Sequence, residues 1–136
     1  MENHDQGLIV PGQIDSLMKL RLILLFAESP WLRLSKVAAQ QRLRESPWAI
    51  AEALEQLHAA GLLAGDERLG QSEYWLTTSP ERRTRIERLA RSFDDPQRRD
   101  ELYALARAAD DERRFRELGA TYVHLSAIGE FDTPGF

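Results

Sequence analysis

The stretch Ser46–Leu63, SPWAIAEALEQLHAAGLL, decides the fold of this chain. Ser46 is predicted to cap a helix, because its hydroxyl can accept a hydrogen bond from an amide of the first turn. Pro47 suits the first helical position, where its missing N–H costs nothing. Apolar side chains then recur at helical spacing and form one stripe, made of Ile50, Ala53, Leu54 and Leu57.

A β-hairpin is predicted directly after this helix. Gly61 is a left-handed helix stop, and the apolar pair Leu62-Leu63 begins an extended run. A polar segment over residues 65–70, with a glycine at each end, separates this run from a second one, Glu73–Thr77. The order is therefore helix, strand, turn and strand, with the hairpin folded beside the helix.

This order resembles the recognition helix and wing of a winged helix-turn-helix domain of the MarR type. The resemblance covers roughly residues 14–93, and the matching residues are Ser46-Pro47, Ile50, Leu54, Leu57, Ala59-Ala60-Gly61-Leu62-Leu63 and Tyr74-Trp75-Leu76-Thr77. It implies a bacterial-type transcriptional regulator that binds double-stranded DNA, with a homodimer interface in helices one, four and five. Winged helices also serve as protein-docking modules, so the resemblance says more about fold than about function.

The whole chain is predicted to be mainly α, with a small β-wing and C-terminal helices. We expect a flexible N-terminal arm over residues 1–13, the winged helix-turn-helix domain over 14–93, a C-terminal helical extension over 94–119 and an extended or disordered tail over 120–136. Helix one is predicted to run from Asp15 or Ser16 to Ala27, and its apolar surface is wider than one small domain usually needs. Core burial is the favoured explanation, and contact of part of this surface with a partner subunit is the alternative. The extension is predicted as two helices, Pro96–Ala109 and a shorter one from Asp110 that ends at Gly119.

Composition limits the functions open to the chain. It has 136 residues, no cysteine and no run near the roughly 18 apolar residues of a membrane-spanning helix. With an acidic N-terminus unlike a signal peptide, we expect a cytoplasmic protein without disulfides or a thiolate metal site. The net charge of −4 disfavours nucleic acid as a partner, because Lys and Arg supply most non-specific affinity by neutralising phosphates.

The connection between helices two and three departs from the family pattern. Ser35 is predicted to cap helix two, which runs to about Leu43. A glycine usually occupies the tight turn that follows, whereas residues 41–45, QRLRE, contain none and make a longer connection. The angle between the two helices, and the fit of helix three to a DNA groove, therefore stay open.

The outer face of helix three carries few groups that read DNA. A turn of about 100° per residue from Ile50 places Trp48, Glu52, Glu55, Gln56 and Ala59 outward. Base recognition favours Arg, Lys, Asn and Gln, whereas carboxylates repel phosphates. Between residues 31 and 77 the chain has five basic residues against six acidic ones, so a solvated acidic face is at least as well supported as a sequence-reading one. The residues predicted to contact DNA are Arg42, Arg44, Ser46, Trp48, Gln56, Arg68, Arg82, Arg83 and Arg85.

Trp48 has two interpretations. Packing back onto Trp31 or the turn after helix two, at the edge of the core, is the slightly favoured one. The alternative is an anchor for a protein partner on a surface that includes Glu52 and Glu55, because buried tryptophans dominate many interface energies.

The arginines of helix four form the one basic patch in the sequence. Solvated helical ion pairs, from Glu81 to Arg85 and from Glu87 to Arg91, are the favoured explanation. Contact with phosphates, or docking onto an acidic surface such as helix three of this protein, are the alternatives.

Catalysis finds little support, and we predict no enzyme, no cofactor and no metal site. His4, His58 and His124 lack metal-ligand spacing, and no glycine-rich phosphate loop occurs. The pairs Asp94-Asp95 and Asp110-Asp111 fall at predicted helix starts, where capping explains them. The sequence thus predicts a DNA-binding transcription regulator, with a winged-helix protein-interaction module as the alternative.

Overall fold

A computed structural model describes residues 7–68 and 71–128, without the side chains of residues 67, 68, 71 and 120–128. In this part of the chain the elements follow the order α1 (Leu17–Glu28), β1 (Arg33–Ser35), α2 (Lys36–Leu43), α3 (Pro47–Ala59), β2 (Leu63–Arg68), β3 (Gln71–Leu76), α4 (Pro80–Ser92) and α5 (Pro96–Ile128). The predicted fold class, mainly α with a small sheet and C-terminal helices, is confirmed.

Serine caps begin the first four helices. The hydroxyls of Ser16, Ser35, Ser46 and Ser79 each accept a hydrogen bond from the amide three residues later, at 3.1, 3.1, 3.5 and 3.3 Å. Each bond satisfies one of the amides that a helix start leaves without a partner. The caps that the sequence predicts are therefore present, and they set where each helix begins.

The sheet is antiparallel, with strand order β1-β3-β2. The hairpin pairs Leu63 with Leu76 at its base and Asp66 with Glu73 farther out. β1 pairs with the other edge of β3, where Arg33 lies opposite Trp75. Gly61, with φ of +83°, provides the left-handed turn between α3 and this hairpin, as predicted.

The connection between α2 and α3 uses an arginine where a glycine is usual. Arg44 has φ of 53° and ψ of 41° and ends α2 in the left-handed region, while its N–H donates to the Gln40 carbonyl oxygen at 3.0 Å. A side chain in this region costs about 1–2 kcal/mol, because its Cβ crowds the following carbonyl. The chain therefore makes the turn without glycine, at some cost in stability.

The core forms between α1, α3, the sheet and the C-terminal helices. Leu20, Leu22, Ile23 and Phe26 of α1 are fully buried, which confirms the prediction of core burial for this helix. The predicted loose arm is wrong for residues 7–13, because Leu8 and Ile9 belong to the same core. Residues 1–6 of that arm lie outside the described part.

The C-terminal extension differs most from prediction. α5 is one helix of 33 residues, from Pro96 to Ile128. The predicted break at Asp110, the end at Gly119 and the extended tail are therefore wrong as far as residue 128. Asp110 and Asp111, which the sequence predicts as a helix cap, lie within α5, where Asp110 pairs with Arg113 and Arg114. The division of the chain into domains stays a prediction.

Candidate functional site

α3 is held between the core and α2. Ile50, Leu54 and Leu57 are fully buried, so the predicted inward stripe is confirmed. Along one side, Lys36 of α2 forms an ion pair with Glu55. The Gln40 side chain donates a hydrogen bond to the Pro47 carbonyl oxygen at 3.2 Å. These contacts fix α2 beside α3 and leave the outer face of α3 toward solvent.

Trp48 stands on this outer face without cover. Its side chain is 83% exposed, and that of Trp31 is 86% exposed, so the favoured prediction that Trp48 packs back onto the core edge is wrong. Glu52, one turn along, is also exposed. We call Trp48, Glu52 and Glu55 the α3 outer face. An exposed tryptophan beside carboxylates has apolar area that only a partner could cover.

The charges around the α3 outer face are mostly acidic or already paired. Lys36 neutralises Glu55, and Arg33 lies 3.5 Å from Glu73 and 4.1 Å from the centre of the Trp75 ring. In the hairpin, Asp66 stands directly opposite Glu73, the partner of Arg33. Arg33 of β1 and Lys36 of α2 are therefore compensated by Glu73 and Glu55.

Two cations flank the start of α3. Arg42 and Arg44 are exposed, and within residues 7–68 and 71–128 neither forms an ion pair. Arg42 lies in the last turn of α2, Arg44 caps the end of that helix, and both precede Ser46, whose hydroxyl is engaged as the cap of α3. Of the predicted DNA contacts, the structure thus brings together Arg42, Arg44, Ser46 and Trp48 at one end of α3.

Three other predicted contacts lie elsewhere. The guanidinium of Arg82 lies against Gly61, where an added Cβ would be 2.7 Å from it. Arg83 donates to the Thr77 carbonyl oxygen at 2.8 Å, and Arg85 reaches Gly7 at the N-terminal segment. Gly61 and Trp48 are about 20 Å apart along α3, at 1.5 Å per residue. These arginines therefore lie at the opposite end of α3 from Trp48.

The arginines of α4 also do not form the predicted ion pairs. Among the described residues, no carboxylate lies within ion-pair distance of Arg85 or Arg91, so the pairs with Glu81 and Glu87 are absent. Arg82, Arg83 and Arg85 instead pack against neighbouring backbone, and Arg88 is exposed. Arg85 and Arg88 line one open hollow on α4 together with Glu81 and Thr84, whereas Arg82 and Arg83 contact other elements of the fold.

The last two predicted contacts have different outcomes. Gln56 is half-buried and lines an open cleft of about 550 Å³ between α3, α5 and the N-terminal segment. Arg68 ends β2, but its side chain lies outside the part that the structure describes. Gln56 therefore does not add to the group at the start of α3.

A buried charge network, which the sequence did not reveal, forms the floor of that cleft. Asp15 is fully buried, accepts from the Gly12 amide at 2.9 Å and pairs with buried Lys19 at 2.6 Å. Its second oxygen lies 3.5 Å from Nε of Arg113. Burial acts to lower the pKa of Arg113, but the hydrogen bond to Asp110 and the nearby carboxylates outweigh it and raise the pKa. The four-residue spacing of Asp15 and Lys19 was the only signal of this network in the sequence.

The cations of the cleft are compensated. Lys19 is paired with Asp15, Arg113 with Asp110 and Arg116 with Glu112. The cleft therefore offers an anion no uncompensated positive charge within the described residues.

The described residues contain neither a cluster of metal-ligating side chains nor a helix that could span a membrane. No group of three His, Cys, Asp or Glu side chains gathers in the described residues, and His58 packs edge-on against Tyr74 at 5.9 Å between ring centres. The side chains of His4 and His124 lie outside this part. No described helix has the length and apolar content needed to cross a membrane.

Comparison with known proteins returned no matching family model, no matching curated protein and no similar solved structure. The α3 outer face therefore has to be interpreted from its own geometry and charge.

Proposed function

We propose that residues 14–93 form a winged-helix domain and that its α3 outer face recognises a protein partner. The element order from α1 to β3 and the strand order β1-β3-β2 support the first part, because they place a hairpin beside α3. The exposure of Trp48, 83% at the start of α3, carries the second part.

The energetic argument begins with Trp48. Covering about 200 Å² of tryptophan at about 25 cal/mol per Å² contributes on the order of 5 kcal/mol before the costs of association. No other single residue of this face could contribute as much. Trp48 is thus the anchor of the proposed interface, and it would enter an apolar pocket of the partner.

The charges define the rest of the partner. Glu52 is exposed one turn along from Trp48, and Glu55 lies on the same face. Lys or Arg side chains around the partner's pocket would complement them and speed association. The proposed partner is therefore a protein segment with an apolar site bordered by basic residues.

Selection from a library of displayed random peptides tests this function. The native chain should enrich peptides with apolar residues flanked by Lys or Arg, and Trp48→Ala should weaken their binding at least tenfold. Arg88→Ala, an exposed change on α4, is the matched control and should retain full binding. Equal enrichment by the native and Trp48→Ala chains would overturn the proposal.

DNA binding by a transcription regulator is the second candidate function. Arg42 and Arg44 favour it, because they are exposed beside the start of α3 and lack ion pairs in the described part. Glu52 opposes it on the same surface. The affinity for DNA grows with the number of phosphate contacts, because each contact releases about one counterion. Two unpaired arginines therefore supply little of it.

Fluorescence anisotropy with random duplex DNA at about 50 mM salt tests this candidate, because phosphate contacts are strongest at low salt. The candidate predicts micromolar binding that a double change, Arg42→Ala with Arg44→Ala, abolishes while Arg88→Ala does not. Absence of binding at micromolar protein would contradict it.

A further inference from the structure

α5 carries two lengthwise stripes with different surroundings. The first consists of Leu102, Ala106 and Ala109, which are buried in the core, followed at the same spacing by Arg113. Arg113 reaches Asp15 at the start of α1. This stripe therefore faces the rest of the domain from Leu102 as far as Arg113.

The second stripe is apolar and uncovered. Ala104 and Ala108 are exposed, and they are followed by Phe115 and Leu118 with 76% and 68% exposure. At about 100° per residue, Phe115 and Leu118 lie about 200° and 140° around the helix from Arg113. The second stripe thus faces away from the domain.

The stripe follows a seven-residue repeat. Ala108 and Phe115 occupy one repeating position, and Asp111 and Leu118 occupy the other. The same two positions recur at 122 and 125, where the sequence has Tyr and Leu and the backbone is still helical. Apolar residues at such positions are the pattern by which two helices pack side by side.

The far half of α5 gains little from its own domain. After Ala109 its described contacts are mainly ion pairs within the helix, such as Arg113 with Glu117 and Arg116 with Glu112. Pairs of this kind contribute only about 0.2–0.5 kcal/mol each. A helical segment of this length is marginal in water without packing, so a partner along the exposed stripe would supply the missing stabilisation.

We propose that a second copy of this chain covers the stripe, so that two α5 helices lie parallel and pair from Ala108 onward. Identical stripes can meet face to face across a two-fold axis. Arg107 and Glu112 are exposed on the two flanks, five residues apart, which is the spacing that joins opposite charges across a parallel pair.

The other helices are poorer surfaces for a second copy. The large apolar residues of α1 lie in or against the core, and the outward side of α4 carries charged residues such as Glu87 and Arg88. The interface is therefore narrower than the one that family resemblance implied for helices one, four and five. Asp111 interrupts the stripe, and a polar residue at such a position sets the register at a cost in affinity.

Mass measurement by light scattering tests the pairing on the full chain. At about 100 µM the mass should be twice 15.6 kDa, and it should fall toward 15.6 kDa on dilution. The double variant Phe115→Glu, Leu118→Glu should have a mass of 15.6 kDa at every concentration. Its circular dichroism spectrum should show that the domain remains folded. Trp48→Glu introduces the same charge at another exposed residue and should leave the doubled mass intact.

A single introduced cysteine tests the parallel arrangement. The chain has no cysteine, so Leu118→Cys can form a disulfide only between two copies. Parallel helices place position 118 opposite itself, and oxidation should link most of the chains. A native mass of 15.6 kDa at about 100 µM, a doubled mass in the Phe115→Glu, Leu118→Glu variant, or no linkage through position 118 would each overturn the proposal.

This interface is separate from the α3 outer face. The peptide selection depends on Trp48, whereas the mass depends on Phe115 and Leu118. Either proposal can therefore fail while the other stands.

Discussion

α3 and α4 are both exposed helices with charged residues, but their surface side chains are engaged in different ways. On α4, Arg82 lies against Gly61 and Arg83 donates to the Thr77 carbonyl oxygen. On α3, Trp48 is almost fully exposed, and Glu52 forms no ion pair within the described residues. Arg82 and Arg83, two of the predicted DNA contacts, therefore have partners within the fold, whereas Trp48, for which the sequence favours packing at the core edge, has none.

This difference teaches that charge alone does not identify a recognition surface. A side chain with a partner inside its own fold contributes to stability, and its removal leaves that partner unsatisfied. A large side chain without one contributes little to stability and is available to another molecule. Engaged and unengaged residues should therefore differ in how much their removal lowers the free energy of unfolding.

The largest effect is expected at the most deeply engaged charge, Asp15. Asp15→Ala would leave buried Lys19 and the nearby Arg113 without their shared carboxylate. Such a change typically costs about 3–5 kcal/mol, because an uncompensated charge stays buried. Urea unfolding should show this loss, and the control Glu117→Ala, at an exposed partner of Arg113, should cost less than about 0.5 kcal/mol. Equal losses would contradict the role given to Asp15.

A smaller effect is expected on α4. Arg83→Ala removes a hydrogen bond from a charged donor to the Thr77 carbonyl oxygen, which should cost about 1–2 kcal/mol. Arg88→Ala, at an exposed residue of the same helix, is the matched control and should change stability by less than about 0.5 kcal/mol. If the two variants unfold at the same urea concentration, the hydrogen bond of Arg83 does not stabilise the fold and Arg83 is no more engaged than Arg88.

At Arg44 the expected change has the opposite sign. Arg44→Gly relieves a left-handed conformation that costs an L-residue about 1–2 kcal/mol, while glycine adds entropy of about 0.4–1 kcal/mol to the unfolded chain. The variant should therefore be more stable by about 0.5–1 kcal/mol, seen as a higher denaturation midpoint. A lower midpoint would mean that the Arg44 side chain stabilises the turn.

Trp48 should give the smallest effect on stability. Because it is 83% exposed, Trp48→Ala should change the free energy of unfolding by less than about 0.5 kcal/mol. Leu54→Ala on the buried side of α3 is the contrast and should cost about 2–5 kcal/mol. A large loss from Trp48→Ala would place this side chain in the core and remove the basis of the proposed surface.

The sequence predicted the fold where local chemistry determines it. Serine caps, the Gly61 stop and the apolar stripe of α3 act within a few residues, and each is present. The left-handed Arg44 was not predictable, because arginine rarely adopts that conformation and only the packing of α2 against α3 requires it. The continuity of α5 was missed for a related reason: Asp110 could cap a new helix or pair within an existing one.

The candidate site was less predictable than the fold. Spacing correctly placed Glu52 and Glu55 on the outside of α3, because helical periodicity fixes direction. It could not tell whether Trp48 would find cover, since that depends on where Trp31 and the α2 connection lie in three dimensions. It also could not separate the α4 arginines, whose backbone partners at Thr77 and Gly61 come from other elements.

The affinity of one charge-reversed variant tests the central claim most directly. Glu52→Lys leaves the Lys36–Glu55 pair and the core untouched but reverses the exposed charge beside Trp48. A protein-recognition surface predicts that a peptide selected by the native chain binds this variant at least tenfold more weakly, without a change in folding stability. Peptide affinity that is the same for the native chain and for Glu52→Lys would contradict that claim.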